Sequence, residues 1–132
     1  VIFVDASALV AIIAGEPEAD DLADILERFE TRFCSAISVW ETVAALRKNY
    51  KLTSAAARGE VDFYVTDLRL ACVPIGAAEA GLAVAAYEKY GKGRHKAALN
   101  MGDCFAYACA KANGAKLLFK GDDFGLTDID IA

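Results

Sequence analysis

The chain is 132 residues long, 56% hydrophobic and 25% charged, which fits one ordinary folded domain and excludes disordered and collagen-like classes. Its formal net charge of −5 argues against a broad electrostatic binder of nucleic acid, but not against an enzyme that meets a polyanion through bound divalent cations. No apolar run reaches the roughly 18 residues of a spanning helix, and the apolar opening, interrupted by Asp5, lacks the positive start of a secretory signal.

In chain order, the β-branched run Val1–Val4 reads as a buried strand and residues 6–14 as a helix, which Gly15 punctuates. Glu16-Pro17 restarts a helix that carries Ala19, Leu22, Ala23, Leu26 and Phe29 at helical spacing. Phe33–Ile37 reads as the second strand. Ser38 then opens a helix with Val39, Val43, Leu46 and Tyr50 on one face. Thr53 caps another helix reaching about Leu68, and Cys72–Ile75 is a third strand whose Pro74 points to a sheet edge. A helix over residues 77–90 follows, then the polar loop Gly91-Lys92-Gly93-Arg94-His95-Lys96. After Gly102 a helix places Phe105, Ala108, Cys109 and Ala112 on one face, and Gly114 ends it. Lys116–Phe119 is a fourth strand, with Ile129–Ile131 a candidate fifth.

No repeat, low-complexity tract or linker divides the chain, so residues 1–132 read as one domain. Strands alternating with helices imply parallel pairing and a three-layer α/β/α sandwich around a mainly parallel sheet of four or five strands. Ligands in such sheets bind outside the carboxyl ends of the strands, at the topological switch point. Cys34, Cys72, Cys104 and Cys109 form no CxxC pair and no metal-ligand rhythm. Three lie in apolar surroundings, so all four are expected as reduced thiols of a cytoplasmic protein.

The acidic residues carry the functional signal. Asp5 follows the first strand, Glu41 lies one turn into the helix after the second, and Asp122 and Asp123 follow the fourth. Asp103 starts the helix that leads into the fourth strand, so parallel pairing brings it to the same edge. It stands two residues, about 200° around a helix, from Phe105 and so points away from the buried face. Each acid also has a purely structural explanation. Asp5 and Asp103 suit helix starts, Ser38-x-x-Glu41 has the spacing of a capping box, and Asp122-Asp123 suits a turn. Four independent caps, however, have no reason to converge on one edge of one sheet. Convergent carboxylates repel unless a cation neutralises them, and hard oxygen ligands suit Mg²⁺, with Mn²⁺ as a substitute. The chemistry expected of such a site is phosphodiester hydrolysis by metal-activated water, which needs no histidine base.

With these residues in place, the sequence resembles the PIN-domain family, and within it the VapC-type toxins of bacterial toxin–antitoxin pairs. The segments that carry the resemblance are VDASALVAIIAGEPEAD, SAISVWETVAAL and YEKYGKGRHKAALNMGDCFAYACAKANGAKLLFKGDDFGLTDI. The resemblance implies a Mg²⁺-dependent endoribonuclease restrained by a cognate VapB-type antitoxin, and a homodimer. It places the family's acids on Asp5, Glu41 and Asp103, with Ser7 as the hydroxyl residue supporting the first. For the fourth acid, many PIN domains read T-x-D-x-D-F; an ungapped match puts Gly121 at the first aspartate and Asp123 at the second. Asp123 therefore ranks ahead of Asp122.

Lys89, Lys92, Arg94, His95 and Lys96 form the one dense basic stretch, readable as an RNA-tracking lip beside the acids or as a solvated loop. Trp40 and Tyr107 have the faces to stack a base, but core or dimer packing is the expectation. No phosphate-binding P-loop and no dinucleotide glycine motif is present. A phospho-accepting receiver domain would want paired acids after the first strand and an acid after a central one, whereas Asp5 stands alone and nothing acidic ends Cys72–Ile75. A PIN-like module that binds RNA or protein without cutting is the remaining alternative.

Overall fold

Four short strands, β1 (Ile2–Val4), β2 (Arg32–Ser35), β3 (Ala71–Val73) and β4 (Lys116–Leu118), form one sheet in the order β3-β2-β1-β4 in the computed structural model, which describes residues 1–132. All three pairings are parallel, with Phe3 opposite Phe33 and Leu117, and Cys34 opposite Cys72. The helices are α1 (Ala6–Ala14), α2 (Ala19–Glu27), α3 (Ala36–Tyr50), α4 (Ser54–Asp67), α5 (Ala77–Tyr90) and α6 (Met101–Ala112), and a short 3₁₀ turn covers Asp123–Leu126. No helix is long and apolar enough to cross a membrane.

Strand alternation builds the three layers. Ile2 and Val4 enter a core with Leu9, Leu22, Leu26, Leu46, Val61 and Leu118, supplied by α1 to α4. Phe3 and Leu117 point the other way, into a core with Ala83, Ala86, Tyr107, Ala108 and Phe124, supplied largely by α5 and α6. Successive side chains on a strand face opposite sides, so three-residue strands suffice to feed both layers. The chain runs outward from β1 to β2 and β3, then returns to place β4 on the other side of β1. The switch point therefore lies between the carboxyl ends of β1 and β4.

Several boundaries differ from the sequence expectation. The second strand ends at Ser35 rather than Ile37, because Ser35 itself caps α3. Ser35 Oγ accepts from the Ser38 N–H at 3.2 Å, and Ser38 Oγ accepts from the Ser35 N–H at 3.3 Å. Ser38 is thus the third residue of a capping box, and Glu41 takes no part in one. The expected α3 face holds for Val39, Val43 and Leu46, which pack on the core, but Tyr50 is exposed and Ser38 and Thr42 are buried as well. Thr42 tolerates burial because its hydroxyl donates to the Ser38 carbonyl at 2.7 Å within the helix. Ile129–Ile131 does not become a fifth strand. Its pairing with β4 stops at a single bridge between Leu117 and Ile131, leaving four strands. Trp40 is 68% exposed and belongs to no core cluster, whereas Tyr107 is buried. All four cysteines are free thiols, with Cys72 the exposed one.

The β2–α3 junction positions the helix that carries Glu41, so its cap matters beyond the helix itself. Ser35→Ala is expected to lower stability by about 1–2 kcal/mol, read as an earlier urea midpoint with an unchanged slope.

Candidate active site

Asp5 leaves β1 as the N-cap of α1. Its Oδ2 accepts from the Ser7 backbone N–H at 3.0 Å and from the Ser7 hydroxyl at 2.6 Å. Its own N–H donates to the Leu118 carbonyl of β4 at 2.9 Å, so the carboxylate is fixed from both strands of the switch point and is 4% exposed. Ser7 is itself held, because its Oγ accepts from the Lys120 N–H at 3.0 Å.

Asp103 is fixed by α6. The Asn100 side chain accepts from the Asp103 N–H at 2.8 Å, and Asp103 Oδ2 accepts from the Asn100 N–H at 3.1 Å. The capping role and the site role of this residue coexist. Glu41 differs: no hydrogen bond or ion pair holds its carboxylate, which lies instead against Gly102 in the first turn of α6. A Cβ built on Gly102 would fall inside that carboxylate, so the glycine makes the close approach of α3 and α6 possible here.

Asp5, Ser7, Glu41 and Asp103 line one cavity of ≈ 370 Å³, together with Glu16, Asn49 and Lys120. Asp123 stands outside the cavity wall, but close enough that its charge raises the pKa of both Asp5 and Asp103; no such effect traces to Asp122. Gly121, which the ungapped family match sets opposite an aspartate, has φ +105°, a conformation that side-chain-bearing residues rarely adopt. The basic residues of the 92–96 loop do not line the cavity. Arg94 pairs with Glu88 at 3.6 Å and lies over the Tyr87 ring. His95 packs edge-on to Tyr90, and its Nδ1 accepts from the Ala97 N–H at 3.0 Å.

The electrostatics of the cavity are those of uncompensated anions. Burial pushes the Glu41 carboxyl up to about 7, with Asp5 and Asp103 adding repulsion. Burial raises Asp103 to about 6, against the lowering effect of the Asn100 N–H. Asp5 is raised by burial more than the Ser7 bonds lower it. No lysine or arginine pairs with any of the three; the ion pairs of the fold lie elsewhere, among them Lys120 with Glu16 and Glu18. As the side chains stand, no three acids converge closely enough to chelate an ion. The donor chemistry nonetheless fits a hard divalent cation: all-oxygen, anionic, half-buried and with no cationic side chain paired to Asp5, Glu41 or Asp103. Glu41 is the one of the three acids whose carboxylate is held by no hydrogen bond or ion pair. Glu16, Asn49, Gly102 and Lys120 were not singled out from the sequence. Lys120 was open to the reasoning that found Asp5, since it too follows a strand at the switch point.

Raised carboxyl pKa values make folding take up protons, so without divalent ions stability should fall as pH rises from about 4.5 to about 7. Glu41→Gln is expected to raise Tm by about 2–4 °C in EDTA near pH 8; thermal melts of both proteins across pH test this. Gly→Ala within a helix ordinarily stabilises by up to about 1 kcal/mol, but Gly102→Ala should destabilise here. In a Glu41→Ala background the same change should become stabilising, a coupling that a double-mutant cycle by chemical denaturation measures directly.

The comparisons with known proteins agree with this architecture. The PIN domain family model matches residues 2–130. A ribonuclease VapC of Mycolicibacterium smegmatis is 41% identical over 126 residues, covering 96% of this chain and 95% of the relative. Ribonuclease VapC30 of Mycobacterium tuberculosis is 40% identical over 126 residues, covering 96% and 94%. A VapC ribonuclease of Rhizobium meliloti is 37% identical over 139 residues, covering 96% and 98%. With a parallel sheet that opens its acid cavity at the β1–β4 switch point, and with relatives matched over nearly their whole length, the chain belongs to the PIN-domain family, in its VapC group.

Proposed function

We propose that this chain is a Mg²⁺-dependent endoribonuclease acting as the toxin of a toxin–antitoxin pair, restrained by a cognate VapB-type antitoxin and working as a homodimer in the cytoplasm. The observation that carries the nuclease reading is the sharing of one cavity by Asp5, Glu41 and Asp103 with no cation paired to any of them. The relatives are named as ribonucleases, which supports the choice of RNA. The four free thiols fit a reducing compartment.

Asp5, Glu41, Asp103 and Asp123 are the residues assigned to hold the ion, with Asp122 left as a turn residue. When bound, Mg²⁺ or Mn²⁺ supplies positive charge to phosphate oxygens and a water of lowered pKa. The protein supplies the rest. Ser7 holds Oδ2 of Asp5, so the other oxygen is the one offered inward. The α6 cap sets Asp103, whose Oδ2 is engaged by Asn100. Glu41 closes the set from α3 over Gly102. No histidine lines the cavity, so protons are exchanged with carboxylates or solvent. Lys92, Arg94, His95 and Lys96, on the loop leading into Asn100, are assigned to the RNA chain away from the cleaved bond.

Purified protein should cleave single-stranded RNA in Mg²⁺, lose activity in EDTA and regain it on metal readdition. Asp5→Asn and Asp103→Asn should each lower the rate at least about 100-fold, the scale of losing a group that stabilises transition-state charge. If both cleave like the parent, the site assignment is wrong. If Mg²⁺ raises the parent's Tm while every RNA stays intact, the chain is the non-cleaving module instead.

A further inference from the structure

The acid cavity has one cation on its wall, Lys120. It follows β4 directly and is fixed at both ends. Its backbone N–H donates to Ser7 Oγ at 3.0 Å, and that hydroxyl donates to Asp5. Its ammonium donates to Glu16 Oε1 at 2.7 Å and lies 3.2 Å from Glu18 Oε2. Glu16 in turn accepts from the Tyr50 hydroxyl at the end of α3. Three parts of the chain, the segment after α1, the end of α3 and the loop after β4, thus meet around one ammonium.

Stability is a weak reason for this construction, since exposed ion pairs contribute little. A lysine ammonium has three N–H donors, and its two carboxylate partners leave one for another acceptor. The other ionisable groups on the cavity wall are acids, so a polyanion approaching it is repelled except where a fixed positive charge faces it. The dense basic loop does not supply that charge, because none of its residues reaches the cavity wall.

We propose that Lys120 takes a backbone phosphate of the RNA at the rim of the acid cavity, with Glu16 and Tyr50 holding its ammonium in position. This rests on the reading of the chain as an RNA-binding nuclease, and it adds the residue that meets the polyanion beside the metal-binding acids.

The test is binding of a fluorescein-labelled, mixed-sequence single-stranded RNA by anisotropy, in fixed Mg²⁺ across a NaCl series. It is made in an Asp103→Asn background so that the RNA stays intact. Adding Lys120→Gln should weaken binding about 5- to 20-fold at low salt and make the slope of log K against log salt shallower by about 0.7, the value for one phosphate contact on a single strand. Lys120→Arg should restore both. Mn²⁺ affinity, read by electron paramagnetic resonance on otherwise unsubstituted protein, should not change with Lys120→Gln. An unchanged salt slope, or a fall in Mn²⁺ affinity that accounts for the loss, would overturn the proposal and leave Lys120 as a brace for Ser7 and Asp5. Failure of the nuclease reading looks different: the unsubstituted protein would leave RNA uncut in Mg²⁺, while the slope change on Lys120→Gln persisted.

Discussion

The arrangement depends on carboxylates that share one cavity beside the ends of β1 and β4, with no positive side chain paired to Asp5, Glu41 or Asp103. Burying an ionised group without a partner is costly, and a protein answers either by raising the pKa or by recruiting a counter-charge from outside. Here the first response is visible at Asp5, Glu41 and Asp103. A fold selected for stability alone would have neutralised these acids with a nearby lysine. The one lysine at hand is instead tied to Glu16 and Glu18. An internal counter-charge on Asp5 or Asp103 would compete with any incoming divalent ion, so keeping Lys120 engaged elsewhere leaves the acids available.

Fixing the acids without neutralising them falls to the helix starts. Asp5 caps α1 and Asp103 is the reciprocal partner of the Asn100 cap on α6, and their bonds are with N–H and O–H donors that hold a carboxylate in place while leaving its charge. Structural and chemical explanations of these two residues are therefore not rivals; the cap is the means by which the site is pre-set. Glu41 is the exception, lying free against a glycine. Two of the three acids are thus fixed by hydrogen bonds and the third is not.

Much of this was legible in the sequence for physical reasons. Short β-branched runs followed by periodic helices fix a parallel sheet, and a parallel sheet fixes which ends share an edge, so Asp5, Glu41 and Asp103 could be brought together from spacing alone. The misreadings came where one residue type serves two purposes. Ser35 and Ser38 are equally good caps by sequence; the structure uses both, one as N-cap and one as its reciprocal partner, which ends β2 two residues earlier, at Ser35. Thr42 hides its hydroxyl in its own helix, so a stripe that looks polar is buried. Trp40, 68% exposed, lies about 200° around α3 from Ser38 and Thr42, off the buried face, which sets aside core packing and leaves the dimer alternative untouched.

The loop after β4 was the hardest segment to read, because its contribution comes from backbone as much as side chains. The Leu118 carbonyl at the end of β4 holds the Asp5 N–H and the Lys120 N–H holds the Ser7 hydroxyl, and on the β4 side neither interaction leaves a mark on residue identity. What the sequence does record is Gly121, placed where φ is +105°. That left-handed step turns the chain sharply after Lys120 and brings Asp123 to a distance at which its charge is felt by Asp5 and Asp103. An aspartate at 121 would have to bear the strain of that conformation. Asp123, two residues further on, is the acid whose charge reaches the cavity.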